Sequence, residues 1–70
     1  MRKYLVIYEK AKSNYSAYSP DIPGCIATGK TRREAEKNIK EAINLHLEGL
    51  KEDGLELPKP SSFTEYVEVK

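Results

Sequence analysis

Between Thr31 and Gly54 lies a run of 22 residues, Arg32 to Asp53, with no proline and a single glycine, close to a third of a 70-residue chain. It opens on Thr31-Arg32-Arg33-Glu34, a capping box in which the threonine hydroxyl can accept from the Glu34 amide while the glutamate reaches back to the start of the helix. Gly54 can take the left-handed conformation that ends a helix, and Pro58 and Pro60 prevent its resumption. At about 1.5 Å per residue the helix is roughly 30 Å long. Ala35, Ile39, Ala42, Ile43, His46 and Leu50 recur at helical spacing on one stripe, and Arg33, Glu36, Lys37, Lys40, Glu41, Asn44, Glu48 and Lys51 occupy the solvated face. A single helix with one apolar stripe has to be covered by the remainder of the chain. Its last turns should overhang that cover.

The remainder reads as strands. Lys3 to Lys10, KYLVIYEK, is rich in aromatic and β-branched residues and apolar on both faces, as suits a central strand. Lys12-Ser13-Asn14 is turn material, and Tyr15 to Ser19 resumes an extended segment. Pro20, Pro23 and Gly24 end it, because proline cannot donate to a ladder, and Cys25 to Gly29 makes a short third strand. Phe63 to Lys70, FTEYVEVK, alternates Phe63, Glu65, Val67 and Val69 against Thr64, Tyr66 and Glu68, and reads as a fourth strand returning to the sheet. The expected fold class is α+β: a three-stranded antiparallel meander, one long helix packed on the sheet, and a C-terminal fourth strand, in the order β-β-β-α-β.

Seventy residues make one domain, 1–70, with a small core. Such a domain is marginal alone and leans on disulfides, metals or partners. One cysteine cannot close an internal disulfide, and one cysteine with one histidine is too few for structural zinc. No metal or cofactor is expected, and a partner is. With 12 Lys+Arg against 11 Asp+Glu, the net charge of +1 argues against strong non-specific nucleic-acid binding through the whole surface. No apolar run is long enough for a signal segment or a membrane span, so a cytoplasmic location with no membrane contact is expected.

YSAYSPDIPGCIATGKTRREAEKNIKEAI, followed by LHLEGLKEDGLELPKP, resembles the HicB-like antitoxin family. Pro20, Asp21, Pro23, Gly24, Cys25, Gly29, Thr31, Glu34, Ala35, Asn38, Ala42 and Pro58 stand where that pattern places such residues. The resemblance implies a partial ribonuclease-H-like fold whose fourth strand lies beside the first. It also implies an antitoxin of a type II toxin-antitoxin system that binds and neutralises a HicA-like, mRNA-cleaving toxin by protein-protein contact. Many members carry a second, DNA-binding domain. No helix-turn-helix or ribbon-helix-helix segment follows Pro60 here, so no DNA-binding domain and no specific DNA binding by this chain alone are expected. The family's Gly-Asp-Thr appears as Gly29-Lys30-Thr31, an exchange that leaves the cap intact.

The candidate partner-binding residues are Asp21, Ile22 and Pro23 in the rigid loop, and His46, Leu47 and Leu50 near the helix end. The loop has two readings. It can be a stiff turn that sets register, with Asp21 bonding a nearby amide, or a surface that docks at low entropic cost. His46 is expected to be a packed or interfacial aromatic on the apolar stripe, with Leu47 pointing away from the stripe's centre, and Cys25 a small core hydrophobe. Five tyrosines exceed what so small a core can use. The basic run Lys30, Arg32, Arg33, Lys37 and Lys40 reads as a solvated face, with RNA or phosphate contact as its functional alternative. Ribonuclease-H chemistry needs carboxylates converging on two metal ions, whereas the first strand offers only Glu9, near its end, and the helix carboxylates Glu34, Glu41 and Glu48 lie off the sheet-facing stripe. The chain is therefore read as not an enzyme, the alternative being a small RNA-binding or residual hydrolytic domain. An uncovered sheet face and unpaired edges lead to the expectation of a homodimer or higher homo-oligomer through the short third strand or the helix end around Leu47 and Leu50.

Overall fold

The computed structural model describes residues 2–70. β1 (Ile7–Lys10), β2 (Tyr15–Tyr18) and β3 (Ile26–Gly29) form an antiparallel sheet in the order β1-β2-β3, and α1 (Arg32–Glu52) packs across β2 and β3. The meander and the helix are as expected, the strands are shorter, and β1, expected as a central strand, lies at the edge of the sheet with β2 in its centre. β1 begins at Ile7, because its first β2 partner is Tyr18 and the chain beyond Tyr18 turns away at Pro20. No fourth strand forms among the described residues, since Phe63 to Lys70 has no ladder partner and is exposed throughout.

Two successive turns connect β2 to β3, with the Ile22 amide donating to the Ser19 carbonyl at 3.1 Å and the Cys25 amide to the Ile22 carbonyl at 3.2 Å. Pro20 and Pro23 each occupy the second position of a turn, where a fixed φ near −65° is already correct. Gly24, at φ 80°, takes the third position of the second turn, where a type II geometry requires positive φ. Ile22 belongs to both turns and is thrown inward, fully buried. Cys25 follows it into the core.

The register sorts the sheet into two faces. Tyr8, Ala17 and Ala27 form one cross-strand row and Ile7, Tyr18 and Ile26 the next, on the opposite face. The first row faces α1: Ala17, Ile22, Cys25, Ala35 and Ile39 make up the buried core, with Tyr4, Val6, Tyr8, Tyr15, Ala27, Ala42 and Ile43 packed against it. Small residues at the centre let the helix come close. At Gly29 the approach is extreme, for a β-carbon there would lie 2.5 Å from the Ala35 amide nitrogen. Asn38 adds a tie, its side-chain amide donating to the Thr28 carbonyl of β3 at 2.8 Å.

Both helix ends are capped. The Glu34 amide donates to the Thr31 hydroxyl at 3.1 Å, and the Glu34 carboxylate reaches one residue beyond the cap, accepting from the Lys30 amide at 2.8 Å. At the other end, Gly54 (φ 69°) donates to Lys51 and Leu55 to Leu50, the paired bonds of a Schellman motif. The chain then doubles back. Leu57 lines a groove with Tyr4, Ile43 and Leu47, and the Tyr4 hydroxyl donates to the Pro58 carbonyl. His46 is exposed, contrary to its expected place on the apolar stripe, and Leu47 is half-buried instead. The returning segment covers the Ile43–Leu47 side of the helix, so the packed stripe turns toward Leu47 in the last turns.

Candidate interaction surface

The row Ile7, Tyr18 and Ile26 lies on the face of the sheet that α1 leaves open. Ile7 and Tyr18 are half-buried, whereas Ile26 is 67% exposed. β-branched and aromatic residues dominate this row because they suit a pleated surface, and nothing among the described residues supplies a second layer over it.

At the end of β2 the loop carries Asp21. Its carboxylate accepts from the backbone amides of Ser61 and Ser62 at 3.1 and 3.0 Å and from their hydroxyls at 3.1 and 2.7 Å. The bonds from the Ser62 amide and hydroxyl, reinforced by those from Ser61 and opposed by partial desolvation, hold the carboxyl below its ordinary value. Asp21 does bond backbone amides, although they lie 40 residues along the chain rather than in its own turn. Sequence reading had no signal for this clamp beyond a pair of serines after Pro60.

The structure separates the remaining expected contact residues. Ile22 belongs to the core and offers no surface, because the double turn directs it inward. Pro23 is exposed beside Asp21 at the end of the sheet. Leu47 and Leu50 are half-buried toward the far end of α1, and His46 is exposed there. The loop and the helix end therefore do not form one site.

Two further surfaces are present, and of the second only Lys30 and Arg32 stood out in the sequence, as part of the basic run at the helix start. Leu5, Val6, Ile7 and Tyr8 line a groove with Arg32 and with Thr64, Glu65 and Tyr66. Residues from both faces of β1 contribute to it, so the groove runs along the strand's edge. Beside it, the Arg32 guanidinium stands 5.4 Å from the Tyr8 ring centre and 3.3 Å from the Glu36 carboxylate. Burial pushes the Tyr8 phenol up, Glu36 adds to this and Arg32 opposes it. The second surface gathers Lys10, Lys12, Lys30 and Arg32 in a shallow basic groove between the hairpin and the start of α1. Among the described residues, no three His, Cys, Asp or Glu side chains are grouped to hold a metal ion, and no helix is long and apolar enough to cross a membrane.

Residues 4–70 match the family model described as HicB_like antitoxin of bacterial toxin-antitoxin system. The chain belongs to the HicB-like antitoxin family. Among the relatives of this HicB-like chain is an uncharacterized 14.9 kDa protein from the rep-hol intergenic region of Haemophilus phage HP1, 44% identical over 64 residues. That match takes in 91% of this chain and 48% of the phage protein, so the chain spans about half of its length. A UPF0150 protein of Thermoplasma acidophilum is 41% identical over 61 residues, covering 86% of this chain and 88% of its own. Among solved structures, a chain of the HicA3 and HicB3 toxin-antitoxin complex matches with a TM-score of 0.71 and 35% identity, over 86% of this HicB-like chain and 70% of that one.

Proposed function

We propose that this HicB-like chain is the antitoxin component of a type II toxin-antitoxin pair, binding and neutralising a HicA-like, mRNA-cleaving toxin by protein-protein contact. The single observation that supports this most is the match in fold and sequence to a chain of the HicA3 and HicB3 toxin-antitoxin complex. The geometry adds a surface suited to the task, the uncovered Ile7, Tyr18 and Ile26 row, bordered by the exposed Pro23 loop. In this reading the toxin docks on the open sheet face, with Asp21 positioning the loop. Leu47 and Leu50 pack at the other end of the molecule, and His46 is a surface residue there. The protein is not itself an enzyme, and it works in the cytoplasm, where its toxin meets mRNA. It does so as a homodimer or higher homo-oligomer, since a core of five buried residues is small for a free-standing domain and the sheet's outer edges are unpaired among the described residues.

Isothermal titration against a HicA-like toxin, together with an assay of the toxin's RNA cleavage, tests the proposal. Native protein should bind and silence the toxin, and Ile26→Lys, whose side chain is 67% exposed, should weaken binding at unchanged melting temperature. A tight-binding residue at the centre of an interface is commonly worth about 2 kcal/mol or more, close to thirtyfold in affinity. Failure of the native protein to bind, with cleavage of RNA or retention of RNA by the basic groove at Lys10, Lys12, Lys30 and Arg32, would favour the nucleic-acid alternative.

A further inference from the structure

On its helix side the sheet is covered only in part. A helix with its side chains is about 10 Å across and strands lie about 4.8 Å apart, so one helix covers about two strands. α1 uses that width on β2 and β3. Tyr4, Val6 and Tyr8, from β1 and the segment leading into it, pack against the edge of the core and stay half-buried. Ile43 and Leu47 of α1 and Leu57 of the returning chain line the same groove and are half-buried as well. The result is an open groove beside α1 with an apolar floor. The bond from the Tyr4 hydroxyl to the Pro58 carbonyl ties the returning chain to that floor.

Positive charge surrounds the groove. Arg2, Lys40, Lys51 and Lys59 line it against a single carboxylate, Glu56, although the chain as a whole has 12 Lys+Arg to 11 Asp+Glu. The helical side of the rim is one ridge, on which Lys40, Asn44, Leu47 and Lys51 follow at three- and four-residue spacings. Glu36 extends that ridge but is paired with Arg32 at 3.3 Å, and Glu41, Glu48 and Glu52 fall about a quarter turn away, exposed to solvent. We infer that this groove receives an acidic amphipathic helix of a second protein, its apolar stripe on Tyr4, Ile43 and Leu47 and its carboxylates on Arg2, Lys40 and Lys51. Lys40 and Lys51 are about 16 Å apart along the axis, so the occupant spans about three turns. Laid beside α1 at a spacing of about 8–10 Å, it stands over β1 and completes the layer that α1 leaves short.

Place and charge argue against the chain itself as the occupant. Thr64, Glu65 and Tyr66 lie instead in the groove along the edge of β1, on the other side of that strand. A second copy has only α1 to offer as a helix among the described residues, and α1 carries five cations and five carboxylates, no net charge, with Lys40 and Lys51 set to meet the same cationic rim. Recognition of a helix by a groove needs both an apolar stripe and a charge of the opposite sign at its margins, and an acidic helix brings both. The groove is on the opposite side of the sheet from Tyr18 and Ile26, where the toxin is proposed to dock, so the two readings fail separately.

The test uses the full chain, isotope-labelled, and two synthetic peptides. Each is about 18 residues, long enough to hold some helix in water, with leucines at i, i+3, i+4 and i+7 on one stripe; one carries glutamates on both flanks of the stripe and the other lysines. The acidic peptide should bind in fluorescence anisotropy, more weakly as salt rises, and should shift the amide resonances of Tyr4, Ile43 and Leu47. Lys40→Glu combined with Lys51→Glu, both exposed, should weaken that binding about tenfold and admit the basic peptide instead, with the helical circular dichroism retained. No binding of the acidic peptide, equal binding of the two peptides, or shifts confined to Tyr18 and Ile26 overturns the inference and leaves the antitoxin reading untouched. Shifts of Tyr4, Ile43 and Leu47 that appear on concentrating the protein alone give the groove to a second copy and overturn it as well.

Discussion

Replacing Gly29 by alanine should loosen the molecule at the point where β3 and α1 come closest. A β-carbon at this site would stand 2.5 Å from the Ala35 nitrogen, 2.8 Å from the Glu34 carbonyl carbon and 2.9 Å from the Glu34 β-carbon. Ordinary contact begins near 3.4 Å, so strand and helix must part by about 0.9 Å. Two of these three neighbours are backbone atoms of the first helical turn, which cannot swing aside as a flexible side chain could. That turn is held by the Thr31 hydroxyl on the Glu34 amide, by Glu34 on the Lys30 amide and by the Ala35 amide on the Thr31 carbonyl. Parting the elements also draws the fully buried Ala35 off the core. Overpacking of this kind costs about 1–3 kcal/mol, and a backbone clash belongs at the upper end. Against it stands about 0.4–1 kcal/mol from the lower entropy of the unfolded alanine chain, available because Gly29 does not need positive φ. The net loss is about 2 kcal/mol, and with a urea slope of about 1 kcal/mol/M for so small a domain the midpoint should fall by about 2 M. The melting temperature should fall by roughly 8–16 °C. Gly49→Ala is the control. Its β-carbon meets open space on a helix, so that variant should gain about 0.5–1 kcal/mol. Both are measured by circular dichroism at one protein concentration, since association adds to apparent stability. A Gly29→Ala protein as stable as the native one would refute the close approach.

Other outcomes follow from the same contacts. Asp21 has a folded pKa below its unfolded value, so the clamp on Ser61 and Ser62 is fully formed above about pH 4 and is lost as pH falls through the lower folded pKa. Exchange protection of the Ser61 and Ser62 amides should fall over that acid range and be low at every pH in Asp21→Asn; an Asp21 midpoint at or above about 4 would contradict the hydrogen-bonding pattern. Ile39→Ala, at a fully buried position, should cost about 2–5 kcal/mol out of a total of about 4–10 for a chain of this size, visible as loss of most of the melting transition. Burial pushes the Cys25 thiol up, so its reaction with a thiol reagent should be slow and should track global unfolding; rapid labelling of native protein would place the thiol at the surface.

Much of the molecule is local enough to be legible in 70 letters. The Thr31 cap, the Gly54 stop and the four-turn-long stripe beginning at Ala35 and Ile39 depend on residues within a few positions of one another, and the helix appears where they put it. The turn chemistry is equally local, for Pro20, Pro23 and Gly24 build their double turn from their own backbone preferences. Even the family pattern rests on those local residues. Tertiary contact decided the rest. Whether Phe63–Val69 becomes a strand depends on an edge and a covering layer, and β-propensity alone supplies neither. His46 and Leu47 are one residue apart on the helix, and the side that packs was chosen by where Leu57 and Pro58 return across Tyr4. Asp21 and the Ser61–Ser62 pair meet across 40 residues of sequence. A pairing over that separation costs loop-closure entropy that only the folded core repays, so no window of sequence contains its cause.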